Sequence, residues 1–239
     1  MRMKVHKAIG EGGGSAMTCL VDSILLRTHL SPPTFTVRIL AKRKNRINGL
    51  KVMVTGMMSL KTAIIVVDII NDFVTGVLGS KRAQRIVPKV KHLIDFAHKE
   101  KIPVIFACDT HLPNLDNEFE IWPPHALQGT PGSEVVDELR PKREDFVIRK
   151  RRYNSFFDTD LDTLLRELRV ETVVLVGLVT DICIQNTAAG AFFLGYHIVV
   201  PEDGVETISD EFQKTSLGYM KRVFGVRITT VEKLLKELG

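Results

Sequence analysis

Six short apolar runs divide the last three-quarters of the chain: AIIVVD (63–68), IPVIFACD (102–109), DFVIRK (145–150), ETVVLVG (171–177), YHIVVP (196–201) and GVRIT (225–229). Runs apolar along their whole length suit strands buried on both faces. Between them lie stretches with helical spacing at 80–101, near 132–139, at 158–169, at 181–194 and near 209–222, and VEKLLKEL closes the chain. Asp158 or Thr159 is the expected N-cap of the third helix. Strands alternating with helices, joined by right-handed crossovers, predict a three-layer α/β/α doubly wound fold on a six-stranded parallel sheet. One domain is expected over 59–239, since no shorter repeat is visible.

Residues 1–58 look foreign to that pattern. GEGGGS reads as linker, SPP interrupts any element and AKRKNR is a solvated basic run. Residues 1–60 carry ten Lys/Arg against two Asp/Glu, whereas the remainder carries 23 against 26, so the basic character belongs to the N-terminal quarter. The expectation is a loosely ordered basic extension, or a start assigned too far upstream. No aromatic residues interleave these charges, so a nucleic-acid partner is not expected. No run reaches membrane-spanning length. Three scattered cysteines, Cys19, Cys108 and Cys183, make neither a disulfide framework nor a Cys-x-x-Cys site, which fits a reducing, cytoplasmic setting.

Ligands of such sheets bind beyond the carboxyl ends of the strands. There the sequence places Asp68 at the end of the first strand, Asp109 at the end of the second, Lys150 at the end of the third and Cys183 just past the fourth. Each alone is more often structural; together they describe a nucleophilic site. A helix N-terminus and a nearby ammonium favour a thiolate at Cys183, and Asp68 is the candidate acceptor of its proton. Cys108, mid-strand, reads as core filling.

The loop CDTHLPNLDNEFEIWPPH holds a second constellation. Asp109 and His111 stand two apart, on one side of an extended segment, and His125 follows the rigid WPP. One carboxylate and two imidazoles suit a divalent zinc-, iron- or manganese-like ion with open positions, and Glu118 could complete the set. Trp122, between this loop and two prolines, is a pocket candidate, whereas core packing is the rival reading for Phe73 and Phe156.

AIIVVDIINDF, CDTH…EFEIWPPHALQGTPGSEV and VIRKRRYNSFF…VETVVLVGLVTDICIQNTAAGA resemble the isochorismatase-like cysteine hydrolases over about residues 60–230. The D-x-H and WPPH loop is most similar to that of the nicotinamidases among them. The resemblance implies a catalytic triad of Asp68, Lys150 and Cys183, with Asp109, His111 and His125 as metal ligands and Glu118 where some members supply a fourth. It also implies substrate contacts from Phe73, Trp122, Tyr153 and Leu178. A cis peptide is implied at Leu178–Val179, with the amides of Val179 and Cys183 forming an oxyanion hole. Ile70 departs from the pattern, standing where the family usually has Gln. The expected activity is hydrolysis of nicotinamide to nicotinate and ammonia through a cysteine thioester, with a divalent ion, zinc first, orienting this small-molecule amide. A homo-oligomer is expected. The rivals are hydrolysis of another small carbamoyl or ureido amide, and a binding protein that kept the fold without turnover.

Overall fold

The computed structural model describes residues 61–239. The expected basic extension at 1–58, with Cys19, lies outside the described residues.

All six expected strands form: β1 (Thr62–Val67), β2 (Val104–Asp109), β3 (Phe146–Lys150), β4 (Thr172–Leu178), β5 (His197–Pro201) and, last in the chain, β7 (Arg227–Thr229). A seventh, the two-residue β6 (Val205–Glu206), pairs with the end of β4 and was not expected. The sheet is parallel throughout, in the order β3-β2-β1-β4-β5-β7. Strands are added outward in one direction from β1 (β2, β3) and in the other from β4 (β5, β7), so the switch in strand order lies between β1 and β4, where a ligand crevice is expected at the carboxyl ends.

Two apolar cores, one on each face, account for the strand composition. Ile64, Val66, Phe106, Val174 and Val176 pack on one side with the single-turn α1 (Asn71–Val74), α2 (Lys81–Glu100) and α6 (Val231–Leu238). Ile65, Val67, Ile105, Val173 and Leu175 pack on the other, against α3 (Leu161–Glu167), α4 (Gln185–Phe193) and α5 (Asp210–Phe224). Successive strand residues point to opposite layers, so β1, β2 and β4 are apolar at every position between their polar ends, Thr62, Asp109 and Thr172. Ser80 caps α2 by accepting from the Ala83 amide at 3.0 Å, and Ser209 caps α5 in the same way from Phe212.

Three expected helices differ. The segment near 132–139 is not α-helical. It forms two short 3-10 turns, Pro131–Ser133 and Asp137–Leu139, because the extended residues between them are used elsewhere: Glu134 accepts from Asn71 N and Val135 bridges Ile70. Helix α3 begins later than expected, after a run of turns that bends at Asp158 (φ 56°), so neither Asp158 nor Thr159 is its N-cap; that place falls to Asp160, whose side chain makes no capping bond, while Thr159 Oγ1 accepts from Leu161 N at 3.3 Å. The helix expected at 181–194 opens instead with a wide π turn, Thr180–Ile184, before α4. Such turns concentrate at functional sites.

Gly177 shows how tightly the centre is built. Its φ is +122°, and a Cβ there would lie 1.9 Å from the Val67 carbonyl oxygen, so only glycine lets β4 lie against β1 at this level.

Candidate active site

The four strand-end residues meet. Asp109 and Lys150 are register partners on adjacent parallel strands, which sends their side chains the same way. The Lys150 ammonium, fully buried, lies 2.5 Å from Asp109 Oδ1, 2.7 Å from Asp68 Oδ2 and 3.8 Å from Cys183 Sγ. Asp68 follows β1 with φ 54°, a left-handed conformation that turns it off the strand path, and its Oδ1 accepts from the Asp109 amide at 2.8 Å. Carboxylate oxygens of Asp68 and Asp109 and the sulfur of Cys183 all lie within 4.8 Å of one another. The Leu178–Val179 peptide just before the π turn is cis, as the resemblance implies.

Burial and charge pull the groups of this centre in opposite directions. Burial drives the Cys183 thiol well above its ordinary pKa; the Lys150 ammonium opposes this but is outweighed, with Asp68 and Asp109 adding to the rise. Burial and the two carboxylates thus work against the thiolate that a helix N-terminus and an ammonium favour, which leaves Asp68 as the acceptor that must draw the proton off. Burial, then the charge of Asp109, raises Asp68 to about 7 against the pull of Lys150. Asp109, also buried, is held below the ordinary carboxylate range by Lys150 and then His111. Lys150 stays charged: burial pulls it down, but Asp109 and Asp68 carry it well above an ordinary lysine. The centre thus pairs a thiol with a carboxylate poised near neutrality, beside a fixed cation. Cys108 is buried within the sheet, as the core reading requires.

A second group sits beside it. Donor atoms of Asp109, His111, Glu118 and His125 all lie within 4.8 Å of one another, and all four residues are buried. His125 Nδ1 donates to the Pro123 carbonyl at 2.8 Å, which leaves its Nε2 lone pair free. His111 Nδ1 is 3.0 Å from Asp116, and its Nε2, like Glu118 Oε2, is buried without a hydrogen-bond partner. Buried polar atoms left unmatched are costly, and two carboxylates with two imidazoles concentrate negative charge. These residues fit a borderline divalent cation. Asp109 belongs to both groups, with one oxygen on Lys150 and the other 3.6 Å from His111 Nε2.

Asp116 and Arg151 escaped the sequence reading. Asp116 is buried and receives Arg151 Nε, Arg151 Nη2 and the Leu112 amide as well as His111. Arg151 foremost, against burial and with help from the Leu112 amide, keeps the carboxyl far below its usual range. The one available signal was an acid between His111 and Glu118, and nothing in its spacing marks it.

Both groups open on a cavity of about 320 Å³, near the lower end for small-ligand sites. Phe73, Trp122, Tyr153, Leu178, Val179 and Cys183 line it, as the resemblance implies. Phe73 stacks at a tilt on His125, ring centroids 5.4 Å apart, and Trp122 Nε1 donates to the Tyr153 hydroxyl at 3.1 Å. Phe156 is absent from this lining and stacks on Tyr196, the core role considered for it. Ile70, standing where the family usually has Gln, is fully buried in the core.

The isochorismatase domain family matches residues 62–232. This chain belongs to the isochorismatase family. N-carbamoylsarcosine amidase from Thermoplasma acidophilum is 38% identical and superposes with a TM-score of 0.68, covering 72% of this chain and 98% of its own. Nicotinamidase PncA from Bacillus subtilis is 30% identical at a TM-score of 0.68, with coverages of 71% and 99%. The pyrazinamidase of Pyrococcus horikoshii, solved in complex with zinc, is 29% identical at 0.66, with coverages of 71% and 99%. The names of these relatives are those of enzymes acting on amides. Among the described residues, no helix is long and apolar enough to cross a membrane.

Proposed function

We propose that the protein hydrolyses nicotinamide, or a close neutral aromatic carboxamide, to the acid and ammonia. The observation that carries this reading is the lining of the cavity. Its ionisable groups besides the nucleophile are Asp109, Glu118, His125, Tyr153, Asp181 and Glu206, and none of the lining residues described is Lys or Arg. An amide that carries its own carboxylate would enter beside four acids; a neutral ring would meet Phe73, Trp122 and Tyr153. The zinc in the Pyrococcus horikoshii neighbour supports the metal assignment here.

Reaction begins with transfer of the Cys183 proton to Asp68. The sulfur attacks the carboxamide carbon, and the new negative charge falls on the carbonyl oxygen, where the amides of Val179 and Cys183 serve as donors. Asp68 returns the proton to nitrogen, the C–N bond breaks and ammonia leaves a thioester on Cys183. Water, losing a proton to Asp68, cleaves that thioester, and the proton returns to sulfur. Lys150 holds Asp68 in place throughout and offsets its charge. A zinc ion held by Asp109, His111, His125 and Glu118 would supply a Lewis-acidic anchor for a ring nitrogen.

The 38% identity to N-carbamoylsarcosine amidase favours a second reading, hydrolysis of an N-carbamoyl amino acid. Ammonia release from a panel of nicotinamide, pyrazinamide, N-carbamoylsarcosine and a ureido acid separates the two. The first reading expects the neutral ring amides to be turned over with kcat/KM at least about tenfold above the anionic ones, a modest charge penalty; the reverse order would replace it with the second.

A further inference from the structure

We propose that Asp116, clamped by Arg151, is the positioning residue that orients His111 toward the cation site. This rests on reading Asp109, His111, Glu118 and His125 as cation ligands, and adds a residue outside that set. Asp116 is a buried carboxylate surrounded by donors: the Leu112 amide at 2.9 Å, Arg151 Nε at 3.0 Å from one oxygen and 3.2 Å from the other, Arg151 Nη2, and His111 Nδ1 at 3.0 Å. Arg152 Nη1 stands 3.7 Å away. An ionised carboxylate can only accept, so Nδ1 of His111 must carry the hydrogen and Nε2 the lone pair. That Nε2 lies 3.6 Å from Asp109 Oδ2 and 3.4 Å from Glu118 Oε2, and has no hydrogen-bond partner. The carboxylate thus sets both the tautomer and the ring orientation that ligation needs, a known way for an outer residue to tune a metal site.

The clamp has a second consequence. Arg151 follows Lys150 directly, and the end of β3 sends the ammonium to Asp68 and Asp109 and the guanidinium to Asp116. One strand end therefore anchors both the thiol centre and the metal loop. The loop from His111 to Asp116 closes on itself through the Leu112 amide, so the same carboxylate fixes its backbone.

The test is Co²⁺ binding to full-length protein stripped by chelator, read by visible absorption and by competition with a chelator of known affinity, for the wild type, Asp116→Asn and Arg151→Gln. The Asn variant keeps the size of the side chain but loses the charge and offers an N–H toward Arg151. It is expected to bind Co²⁺ about 10–100-fold more weakly with altered d–d bands, while iodoacetamide alkylates Cys183 at the wild-type rate. Arg151→Gln should weaken Co²⁺ binding in the same direction but by less. Affinity within about twofold of wild type and an unchanged spectrum would overturn the assignment. So would a parallel loss of Cys183 reactivity and thermal stability, the mark of general structural damage. Wild-type protein that takes up Co²⁺ no better than a His125→Ala variant would remove the cation site itself, and this role with it.

Discussion

Replacing Lys150 with Met keeps the buried volume and removes the charge between Asp68 and Asp109. Lys150 is 1% exposed and its Nζ touches both carboxylates at 2.7 and 2.5 Å, so the variant buries two acids with no counter-cation. Breaking a buried ion pair from one side costs about 3–5 kcal/mol. The sign of the pH dependence follows from linkage. Asp109 lies below the ordinary carboxylate range and Lys150 well above an ordinary lysine. Asp109's contribution is present above the unfolded carboxylate pKa of about 4 and lost as pH falls through its lower folded value. The lysine's is complete below about 10 and lost as pH rises through its folded value. Without the ammonium, burial raises both acids, and the folded state prefers them protonated. The loss is therefore full at alkaline pH and shrinks as pH falls through those raised values. Urea unfolding in chelator at about pH 8 and about pH 5, followed by far-UV circular dichroism, should show about 3–5 kcal/mol at the higher pH and clearly less at the lower. In thermal melts the alkaline loss corresponds to about 6–20 °C. A penalty equal at both pH values, or larger in acid, would refute the reasoning.

Two further outcomes follow from the same geometry. Because the thiol–carboxylate pair must shed one proton to work and Asp68 is raised to about 7, kcat/KM should climb with pH through about 7; a rate that falls with rising pH between about 5 and 8 would contradict Asp68 as the base. Gly177→Ala forces a Cβ onto the Val67 carbonyl at φ +122°, and should cost at least about 3 kcal/mol as strain and overpacking combine, seen as a lowered denaturation midpoint; a wild-type midpoint would mean that β1 and β4 can separate freely.

Much of this was legible in the residues because the physics was local. The apolar runs of β1, β2 and β4 declare burial on both faces, and the strand-end rule then lines up Asp68, Asp109, Lys150 and Cys183 without any knowledge of contacts. What the sequence hid was tertiary. The segment 132–139 looked helical because its buried residues, Ser133, Val136 and Leu139, are spaced by three; Pro131 and the pairing of Val135 with Ile70 turn that spacing into separate turns. Strand β6 has two residues, too few for any periodicity. The electrostatics of Cys183 were half visible: a helix end and an ammonium can be read in the sequence, whereas complete burial beside two carboxylates, which works against the thiolate, cannot. Asp116 was invisible for the same reason, since its partners come from a loop and from the end of another strand.

Mass spectrometry of the intact protein, quenched in acid during turnover of nicotinamide, tests the central chemistry most directly. An acyl adduct of the nicotinoyl mass, localised by peptide mapping to Cys183 and missing from a Cys183→Ala variant that folds but does not turn over, is the expected result. Undiminished turnover in that variant, or an adduct on any other residue, would contradict the account.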